Sequence, residues 1–326
     1  MSRRPRIETG VLVGDALSVL RGLPSNAVQC CVTSPPYWLK RDYGVDGQIG
    51  QEPVLGDYVE RLRAVFREVR RVLRDDGVLW LVLGDSYAGS FGAQGRQGAT
   101  SQLVGRSASA ERQIAAGAKK RLLIRPELSG LKSKDLAGVP WRVAFALRDD
   151  GWYLRSDVIW HKRNPMPESV LDRPSLAHEY VFLFSKSPAY YYDADAIREP
   201  VSESTIARGR DKRKRENDLE ATAKIEGASS CGVNTNGRNA RSVWTLSSEP
   251  YDGEHFAPFP SEIPRRGILA GSRLNDVVLD PFVGAGTTVM VAHALGRRYV
   301  GIELNPASAE LANLRIFGPL YSKASR

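Results

Sequence analysis

Short apolar runs alternate with longer segments of helical periodicity along most of this chain. The runs "VLVGDAL", "AVQCCVTS" and "VLWLVLGDS" are rich in valine and leucine and are bounded by Gly, Asp or Pro, which is typical of buried strands. "ALSVLRGLP" predicts a short helix between the first two strands. From Asp57 onward, apolar residues recur at helical spacing with arginines between them, and "DDG" is expected to end this second helix.

The rest of the chain repeats this alternation. "VPWRVAFALRDDG" predicts a helix, and "WYLRSDVIWHK" and "EYVFLFSKS" predict two strands. Near the C-terminal end, the strands "DVVLDPF" and "RRYVGIEL" are each followed by a helical segment, "GTTVMVAHALG" and "PASAELANLRIF". Strands that alternate with helices form mostly parallel sheets covered on both faces. The sequence therefore predicts an α/β fold with a doubly wound, mostly parallel sheet.

Two long stretches interrupt the alternation. One, from about Tyr87 to Lys134, is rich in Gly, Ala, Ser, Gln and basic residues, and the other, from about Ile197 to Arg241, contains "RGRDKRKREND". Loops of this length inside a compact domain are usually functional or disordered, although each is also compatible with a plain solvated insertion. We assign residues 1–86, 135–193 and 244–326 to one domain, 87–134 to a basic insertion and 194–243 to a second inserted region.

The amino-acid composition excludes only a few classes of function. The chain of 326 residues has 46 Lys and Arg against 37 Asp and Glu, a net charge of +9, which favours a polyanionic partner but also suits many ordinary proteins. Its three cysteines form neither a disulfide framework nor a zinc motif. No apolar run approaches the roughly 18 residues that span a bilayer, so we expect a cytoplasmic protein without membrane association.

A glycine-rich turn near the C-terminal end has the features of a ligand loop. In "VVLDPFVGAGTTVMVAHALG", Asp280 ends a strand, and Gly284 and Gly286 lie in the turn before a helix. Glycines allow a ligand to approach the backbone closely, and the helix N-terminus offers unpaired amides. A purely structural turn remains the plain alternative.

The residues around this turn discriminate between ligands. A nucleotide-triphosphate loop requires Lys after the last glycine, where Thr287 and Thr288 stand. A dinucleotide loop requires a third glycine at Val289, and it would place Asp280 beside a pyrophosphate. S-adenosylmethionine fits better, because Asp280 can face a positive group and Glu303, at the end of the next strand, can accept from both ribose hydroxyls. We predict this cofactor and no metal.

The stretch "TSPPYW" gains a chemical interpretation once a methyl donor is implied. Adjacent prolines make a stiff, extended loop. The Ser34 oxygen and the Pro35 carbonyl can each accept a hydrogen from an exocyclic base amine, so that the nitrogen lone pair points at the methyl group. Tyr37 offers a face on which an extruded base can stack, and Trp38 would add a wall. The alternative is a rigid turn with core aromatics.

Together, "TSPPYW" and the downstream "DPFVGAGTT" resemble the amino-group DNA methyltransferases in the β arrangement, where the catalytic motif precedes the cofactor motif. The resemblance covers all but the two irregular stretches and implies a Rossmann-like S-adenosylmethionine-dependent methyltransferase fold. It also implies double-stranded DNA as partner, base flipping, a companion restriction endonuclease and, as in many relatives, a homodimer. Its implied catalytic residues are Ser34, Pro35, Pro36 and Tyr37, and its implied cofactor residues are Asp15, Phe259, Asp280, Phe282, Gly284, Gly286, Thr287, Thr288, Glu303 and Asn305.

Other segments are similar to family elements as well. Asp15 in "GDALSVLRGLP" would approach the cofactor adenine, and Phe259 would line its pocket unless it is a core residue. "HEYVFLFSKSP" is similar to the strand that supports the target-base pocket. Residues 194–243 would form the target-recognition region, whose "RGRDKRKR" run suits phosphate contacts. Side chains there suited to reading base edges are Asn234, Asn236, Arg238 and Arg241.

The target base follows from the first residue of the tetrapeptide. The family commonly has Asp-Pro-Pro-Tyr for adenine and mostly Ser-Pro-Pro-Tyr for cytosine N4, so Ser34 favours N4-methylcytosine, with N6-methyladenine as the alternative. RNA or protein-amide methylation, an inactive DNA-binding protein and a nicotinamide-dependent oxidoreductase are more distant alternatives. Cytosine C5 methylation requires a thiolate nucleophile. We reject it, because Cys30 and Cys31 lie in a buried strand and no Pro-Cys pair occurs.

Overall fold

One eight-stranded sheet organises the chain. The computed structural model describes residues 7–88, 130–168, 170–201, 237–247 and 259–317. The strands are β1 (Gly10–Val13), β2 (Val28–Thr33), β3 (Leu73–Leu83), β4 (Tyr153–Lys162), β5 (His178–Ser185), β6 (Val243–Leu246), β7 (Val277–Asp280) and β8 (Arg298–Glu303). Their order in the sheet is β1-β8-β7-β2-β3-β5-β4-β6. Only the β3/β5 and β4/β5 pairs are antiparallel, so the predicted mostly parallel sheet is confirmed.

Helices cover both faces of this sheet, as the alternation predicted. They are α1 (Ala16–Gly22), α2 (Leu55–Val72), α3 (Val139–Asp149), α4 (Glu262–Gly271), α5 (Thr287–Ala294) and α6 (Pro306–Phe317). The first three pack in sequence against one face, and the last three against the other. No helix in the described ranges is long and apolar enough to cross a bilayer.

The burial of the central strand β2 explains why its sequence is mostly apolar and does not alternate with exposed polar residues. All six of its residues are buried, because helices lie on both sides. Successive side chains point to opposite faces. Cys31 therefore joins the core beneath α1 to α3, whereas Cys30 and Val32 join the core beneath α4 to α6.

The structure corrects the boundary predicted at "DDG". Helix α2 ends at Val72, and β3 starts immediately at Leu73, so Asp75, Asp76 and Gly77 lie inside a strand. The pairing of β3 with β2 shifts register at this point, which marks a bulge. A side chain at Gly77 would bring its Cβ within 2.9 Å of the Arg74 carbonyl oxygen, so glycine permits the bend.

The residues at the two ends of each inserted region lie close together. Ala88 exchanges backbone hydrogen bonds with Lys134 and Asp135, of 2.7 and 2.8 Å, across the first insertion. Glu199 and Arg238 exchange two backbone hydrogen bonds of 2.9 Å across the second. Residues 89–129 and 202–236, which hold most of both predicted insertions as well as Asn234 and Asn236, lie outside the described residues.

Between the parallel strands β2 and β7 the order of the strands reverses, and such a switch point opens a crevice at the carboxyl ends of the strands. The connection after β7 leads to β8 on one side, whereas the connection after β2 leads to β3 on the other. Open α/β sheets bind their ligands at such a point, outside the carboxyl ends of the strands. Here the two central strands end at Thr33 and Asp280.

Candidate active site

A short side-chain hydrogen bond joins the two loops that flank this crevice. The Thr33 hydroxyl donates to Oδ1 of Asp280 over 2.6 Å, and the same oxygen accepts from the backbone amide of Phe282 over 3.0 Å. Ser34 follows Thr33 directly, and the glycine turn follows Asp280. The predicted catalytic loop and the predicted cofactor loop are therefore fixed to one another at their first residues.

The Asp280 carboxylate is removed from water. Its side chain is 1% exposed, and burial raises its pKa to about 6, although the bond from Thr33 acts in the opposite direction. Within the described residues, no salt bridge to this carboxylate is formed. A desolvated carboxylate without a cationic partner favours the binding of a positive group nearby. This is the electrostatic environment that a sulfonium and an ammonium group require.

Glu303, at the end of β8, is the second carboxylate beside the crevice. Its Oε2 accepts from the amide of Gly284, and its Oε1 from the amide of Asn305, each over 2.9 Å. Burial raises the pKa of this carboxyl as well. Each oxygen keeps a further lone pair, so the half-buried group can still accept from ribose hydroxyls. The residues present thus fit S-adenosylmethionine in both charge and hydrogen-bonding capacity.

The glycines of the turn have separate structural reasons. Gly286 has φ of 84°, and a Cβ there would lie 2.9 Å from the Cα of Ala312 in α6. Glycine therefore allows α5 and α6 to approach closely. Gly284, with φ of 50°, directs its amide to Glu303. One glycine serves the packing of the helices, and the other shapes the loop beside the crevice.

The two threonines after the turn point inward. Thr287 and Thr288 are both buried, and the Thr288 hydroxyl donates to the Val32 carbonyl over 3.2 Å. This bond fastens the start of α5 to β2. The two predicted aromatic residues are partly buried on opposite sides of the sheet, Phe282 beside the core of α1 to α3 and Phe259 beside the core of α4 to α6.

Asp15 and Asn305 cap helices beside the crevice. Asp15 accepts from the Ser18 amide over 2.9 Å at the start of α1, and Asn305 accepts from the Ala307 amide over 2.9 Å at the start of α6. The Gly14 amide donates to the Glu303 carbonyl over 2.8 Å, which brings Asp15 beside the end of β8. Their roles in holding a cofactor stay predictions.

The proline loop is anchored from both sides. The Tyr58 hydroxyl donates to the Pro36 carbonyl over 2.9 Å, and the Trp38 indole donates to the Glu52 carbonyl over 2.8 Å. Trp38 is only 1% exposed. The expectation that it walls a base pocket is therefore wrong, since its ring is a core anchor that holds the loop in place.

A hydrogen-bonded side-chain network begins at Ser34. Its hydroxyl lies 3.4 Å from Oη of Tyr37, and that hydroxyl donates to Oε2 of Glu179 over 2.6 Å. Lys162 Nζ pairs with the other oxygen, Oε1 of Glu179, over 2.5 Å. Glu179 and Lys162 were not singled out from sequence, although the resemblance of "HEYVFLFSKSP" placed this strand beside the base pocket. Thr33 was also missed.

The cysteines cannot act as nucleophiles in this arrangement. Cys30 and Cys31 are fully buried, and burial raises the pKa of both thiols far above their ordinary value. A catalytic cysteine requires an accessible thiolate. The structure thus supports, for these two residues, the rejection of C5 chemistry.

Arg238 and Arg241 share one acidic partner. Their guanidinium groups pair with Oε2 of Glu199 over 3.2 and 2.9 Å, and their side chains are 46% and 65% exposed. Both therefore keep donors available at the surface, and their predicted contacts with DNA stay predictions.

Comparison with known proteins identifies similar chains. The family model of the DNA methylases, N6 and N4 methyltransferases, matches residues 28–314. The Type II methyltransferase M.SmaI of Serratia marcescens is 46% identical over 306 residues, which cover 94% of this chain and 90% of that protein. The fold matches the cytosine-N4-specific PvuII DNA methyltransferase with a TM-score of 0.61, at 18% identity over 99% of this chain and 92% of that one. A putative DNA modification methylase from Thermus thermophilus, complexed with S-adenosyl-L-methionine, matches with a TM-score of 0.55 at 24% identity over 95% and 93% of the chains.

Proposed function

This chain belongs to the DNA methylase family and is an S-adenosylmethionine-dependent DNA methyltransferase, and from this premise we propose that it methylates the N4 amine of a cytosine flipped out of double-stranded DNA. The predicted fold, family and cofactor are confirmed at this level. The choice of cytosine is the further step, and Ser34 supports it.

The observation that carries the proposal is the environment of Ser34. It occupies the first position of the anchored Ser-Pro-Pro-Tyr loop and follows Thr33, whose hydroxyl bonds to the buried carboxylate of the cofactor loop. The structural match with a cytosine-N4-specific enzyme agrees with serine at this position. Methyl acceptor and methyl donor would meet across the crevice between β2 and β7.

We assign the loop residues the following roles in transfer. The amine of a nucleobase is a weak nucleophile, because its lone pair is delocalised into the ring. Oxygen acceptors at Ser34 and Pro35 favour a pyramidal nitrogen and stabilise the positive charge that develops on it. Tyr37 supplies a ring for stacking, with Nζ of Lys40 5.8 Å from its centroid. A base that stacks on this face would displace Lys40 toward solvent.

The cofactor supplies an electrophilic methyl group on a sulfonium. When the cofactor is bound, Asp280 would provide negative charge toward its positive groups, and Glu303 would accept from its ribose hydroxyls. Asp15 lies where it can approach the adenine, and Gly284 orders the loop through its bond with Glu303. No proton has to be removed before transfer, so a strong base is not required in this scheme.

In this proposal the two inserted regions bind the DNA. The region 194–243 would read the target sequence, with exposed Arg238 and Arg241 at its base. The insertion 87–134 would close over the duplex on the other side. The companion restriction endonuclease and the homodimer that the resemblance implies stay predictions.

Mass spectrometry of the product tests this function. Purified protein is incubated with unmethylated genomic DNA and S-adenosylmethionine, and the DNA is digested to nucleosides. We expect N4-methylcytosine, and on the order of a hundredfold less of it from the Ser34→Ala variant at the same early time point. N6-methyladenine as the product would overturn the choice of base but keep the family. No methylated nucleoside from DNA, together with methylated RNA or protein, would overturn DNA as the substrate.

A further inference from the structure

A serine hydroxyl is an ambiguous partner for a base amine. It can donate one hydrogen bond and accept others, and it rotates to suit its surroundings. The exocyclic amine presents hydrogens, so only the accepting orientation of Ser34 favours transfer. Something must therefore hold the hydrogen of Ser34 away from the base.

The network of Ser34, Tyr37, Glu179 and Lys162 has a defined direction. Glu179 accepts from both ends, through Oε2 from Tyr37 over 2.6 Å and through Oε1 from Lys162 over 2.5 Å. Because an ionised carboxylate has no hydrogen to give, the Tyr37 hydroxyl must donate to it. The oxygen of Tyr37 is then left to accept from Ser34, at 3.4 Å.

The side chains of Tyr37 and Glu179 pack closely against the backbone at Gly84. A Cβ at Gly84 would lie 2.7 Å from Cε2 of Tyr37 and 3.2 Å from Cδ of Glu179, so this position at the end of β3 must be small. The side chains of Glu179 and Lys162 are 12% and 23% exposed. Hydrogen bonds to ionised groups are stronger in such poorly solvated surroundings.

We propose that Glu179, neutralised by Lys162, is a positioning residue that holds the Ser34 hydroxyl, through Tyr37, as a hydrogen-bond acceptor for the target amine. The 3.4 Å separation of Ser34 and Tyr37 is long for a bond between hydroxyls and is expected to shorten when the base enters. The inference rests on the proposed function, since it assigns a reason for the tyrosine hydroxyl at a site where the ring alone would serve stacking.

The ionisation of Tyr37 is consistent with this direction. Burial raises its pKa, and the neighbouring Glu179 carboxylate raises it further. The phenol therefore keeps its hydrogen across the working pH range and remains a donor to Glu179.

A double-mutant cycle tests whether Tyr37 acts through Ser34. The Tyr37→Phe variant keeps the ring and removes the hydroxyl, and it should slow single-turnover methylation by about tenfold while leaving the affinities for cofactor and DNA unchanged. In a Ser34→Ala background the same change should have almost no effect, because the oriented group is gone. An equal loss in both backgrounds would overturn the inference.

Glu179→Gln extends the test to the carboxylate. Glutamine offers one oxygen to the two donors Tyr37 and Lys162, so one of them loses its acceptor, and the rate should again fall only when Ser34 is present. Tyr153→Phe, at the far end of β4, is the matched control and should leave the rate unchanged. Loss of folding is excluded by an unchanged melting temperature of Tyr37→Phe, which leaves the ring in place.

Failure of the proposed function is distinguishable from failure of this inference. A wild-type protein that methylates no DNA overturns both. Methylation by the wild type with a rate that Ser34→Ala does not change contradicts the role of Ser34. A normal effect of Ser34→Ala with additive effects of Tyr37→Phe contradicts the positioning network alone.

Discussion

The two sides of the crevice hold their carboxylates by different means. On the cofactor side, Glu303 accepts from the backbone amides of Gly284 and Asn305, and Asp280 accepts from the amide of Phe282 as well as from one distant side chain, that of Thr33. On the base side, Glu179 accepts from the side chains of Tyr37, 142 residues away, and Lys162, 17 residues away. The first arrangement depends mainly on the path of the chain, whereas the second depends on the identity of distant residues.

This difference separates binding from chemistry. Backbone amides keep their positions when neighbouring side chains change, so the cofactor side should tolerate nearby substitutions as long as the turn is preserved. Among the described residues, Glu179 accepts only from side chains, so a single side-chain change there removes part of the network. Variants that change the methylation rate without changing cofactor affinity, or the reverse, test whether the two sides act separately.

The largest expected effect is that of Ser34→Ala. It should reduce single-turnover methylation on the order of a hundredfold, because it removes an acceptor that acts on the reacting amine. Affinity for S-adenosylmethionine, measured by calorimetry, should stay the same. A parallel loss of cofactor affinity would show that the two sides of the crevice are not separable.

Glu303→Gln should have the reciprocal effect. The variant replaces a carboxylate by a group with one acceptor oxygen, and we expect cofactor affinity to fall by roughly ten- to thirtyfold, in line with the loss of one or two charge-assisted hydrogen bonds. At saturating cofactor, the methylation rate should recover. Glu310→Gln on the exposed side of α6 is the control and should bind normally. Unchanged affinity of Glu303→Gln would remove Glu303 from the cofactor site.

Cofactor binding should depend on pH through Asp280. Burial raises the pKa of Asp280 to about 6, so the folded protein holds the carboxyl proton more tightly than the unfolded chain does. The free energy of unfolding therefore decreases as pH rises from about 4 to 6. A positive ligand favours the ionised form and must release that proton at low pH. Affinity should therefore increase up to about tenfold per pH unit below pH 6 and level off above it.

Calorimetry at several pH values checks this dependence. The Asp280→Asn variant should bind more weakly above pH 6 and show a flatter profile, since the ionisable group at this position is gone. An unaltered slope in Asp280→Asn would assign the proton to another group, of which Glu303, with a raised pKa, is the first to test.

Thr33→Val should have the smallest effect of the series on methylation and on cofactor affinity, because it acts mainly on stability. It preserves the shape of the side chain and removes the hydroxyl that bonds to Asp280 over 2.6 Å. We expect a loss of about 1.5–3 kcal/mol in the free energy of unfolding, the range for a hydrogen bond to a charged group. Chemical denaturation measures it. Stability equal to that of the wild type would mean that this bond does not fasten the two loops.

The fold was largely predictable because its signals are local. The mostly apolar run "VQCCVT" in β2 follows from burial of both faces of the strand, and the helical spacing in α2 follows from burial of one face of the helix. β6 escaped notice because it has four residues, with only Trp244 buried, after an irregular stretch. Helix α4 was not predicted because Pro264 lies in its first turn, where a proline needs no amide partner.

The site residues could be predicted from sequence where they belong to a compact motif, but their partners in space could not. "TSPPYW" and "DPFVGAGTT" are compact motifs, so the residues that end β2 and β7 could be named from sequence. Thr33 lies inside the first motif, but its partner Asp280 is 247 residues away. The pairing of Glu179 with Tyr37 and Lys162 arises only when β3, β4 and β5 lie side by side, and no local spacing encodes it. Trp38 was misassigned because an aromatic residue beside a ligand loop can face the core equally well.

A crystal structure with S-adenosylhomocysteine, the demethylated cofactor product, and a DNA duplex that contains the target site would show which ligand each side of the crevice holds. We expect a cytosine turned out of the duplex, with its N4 amine within hydrogen-bonding distance of Ser34 Oγ and the Pro35 carbonyl, its ring against Tyr37, and the cofactor product between Asp280 and Glu303. A flipped base held elsewhere, or a cofactor product that contacts neither carboxylate, would contradict the division of the crevice into these two sides.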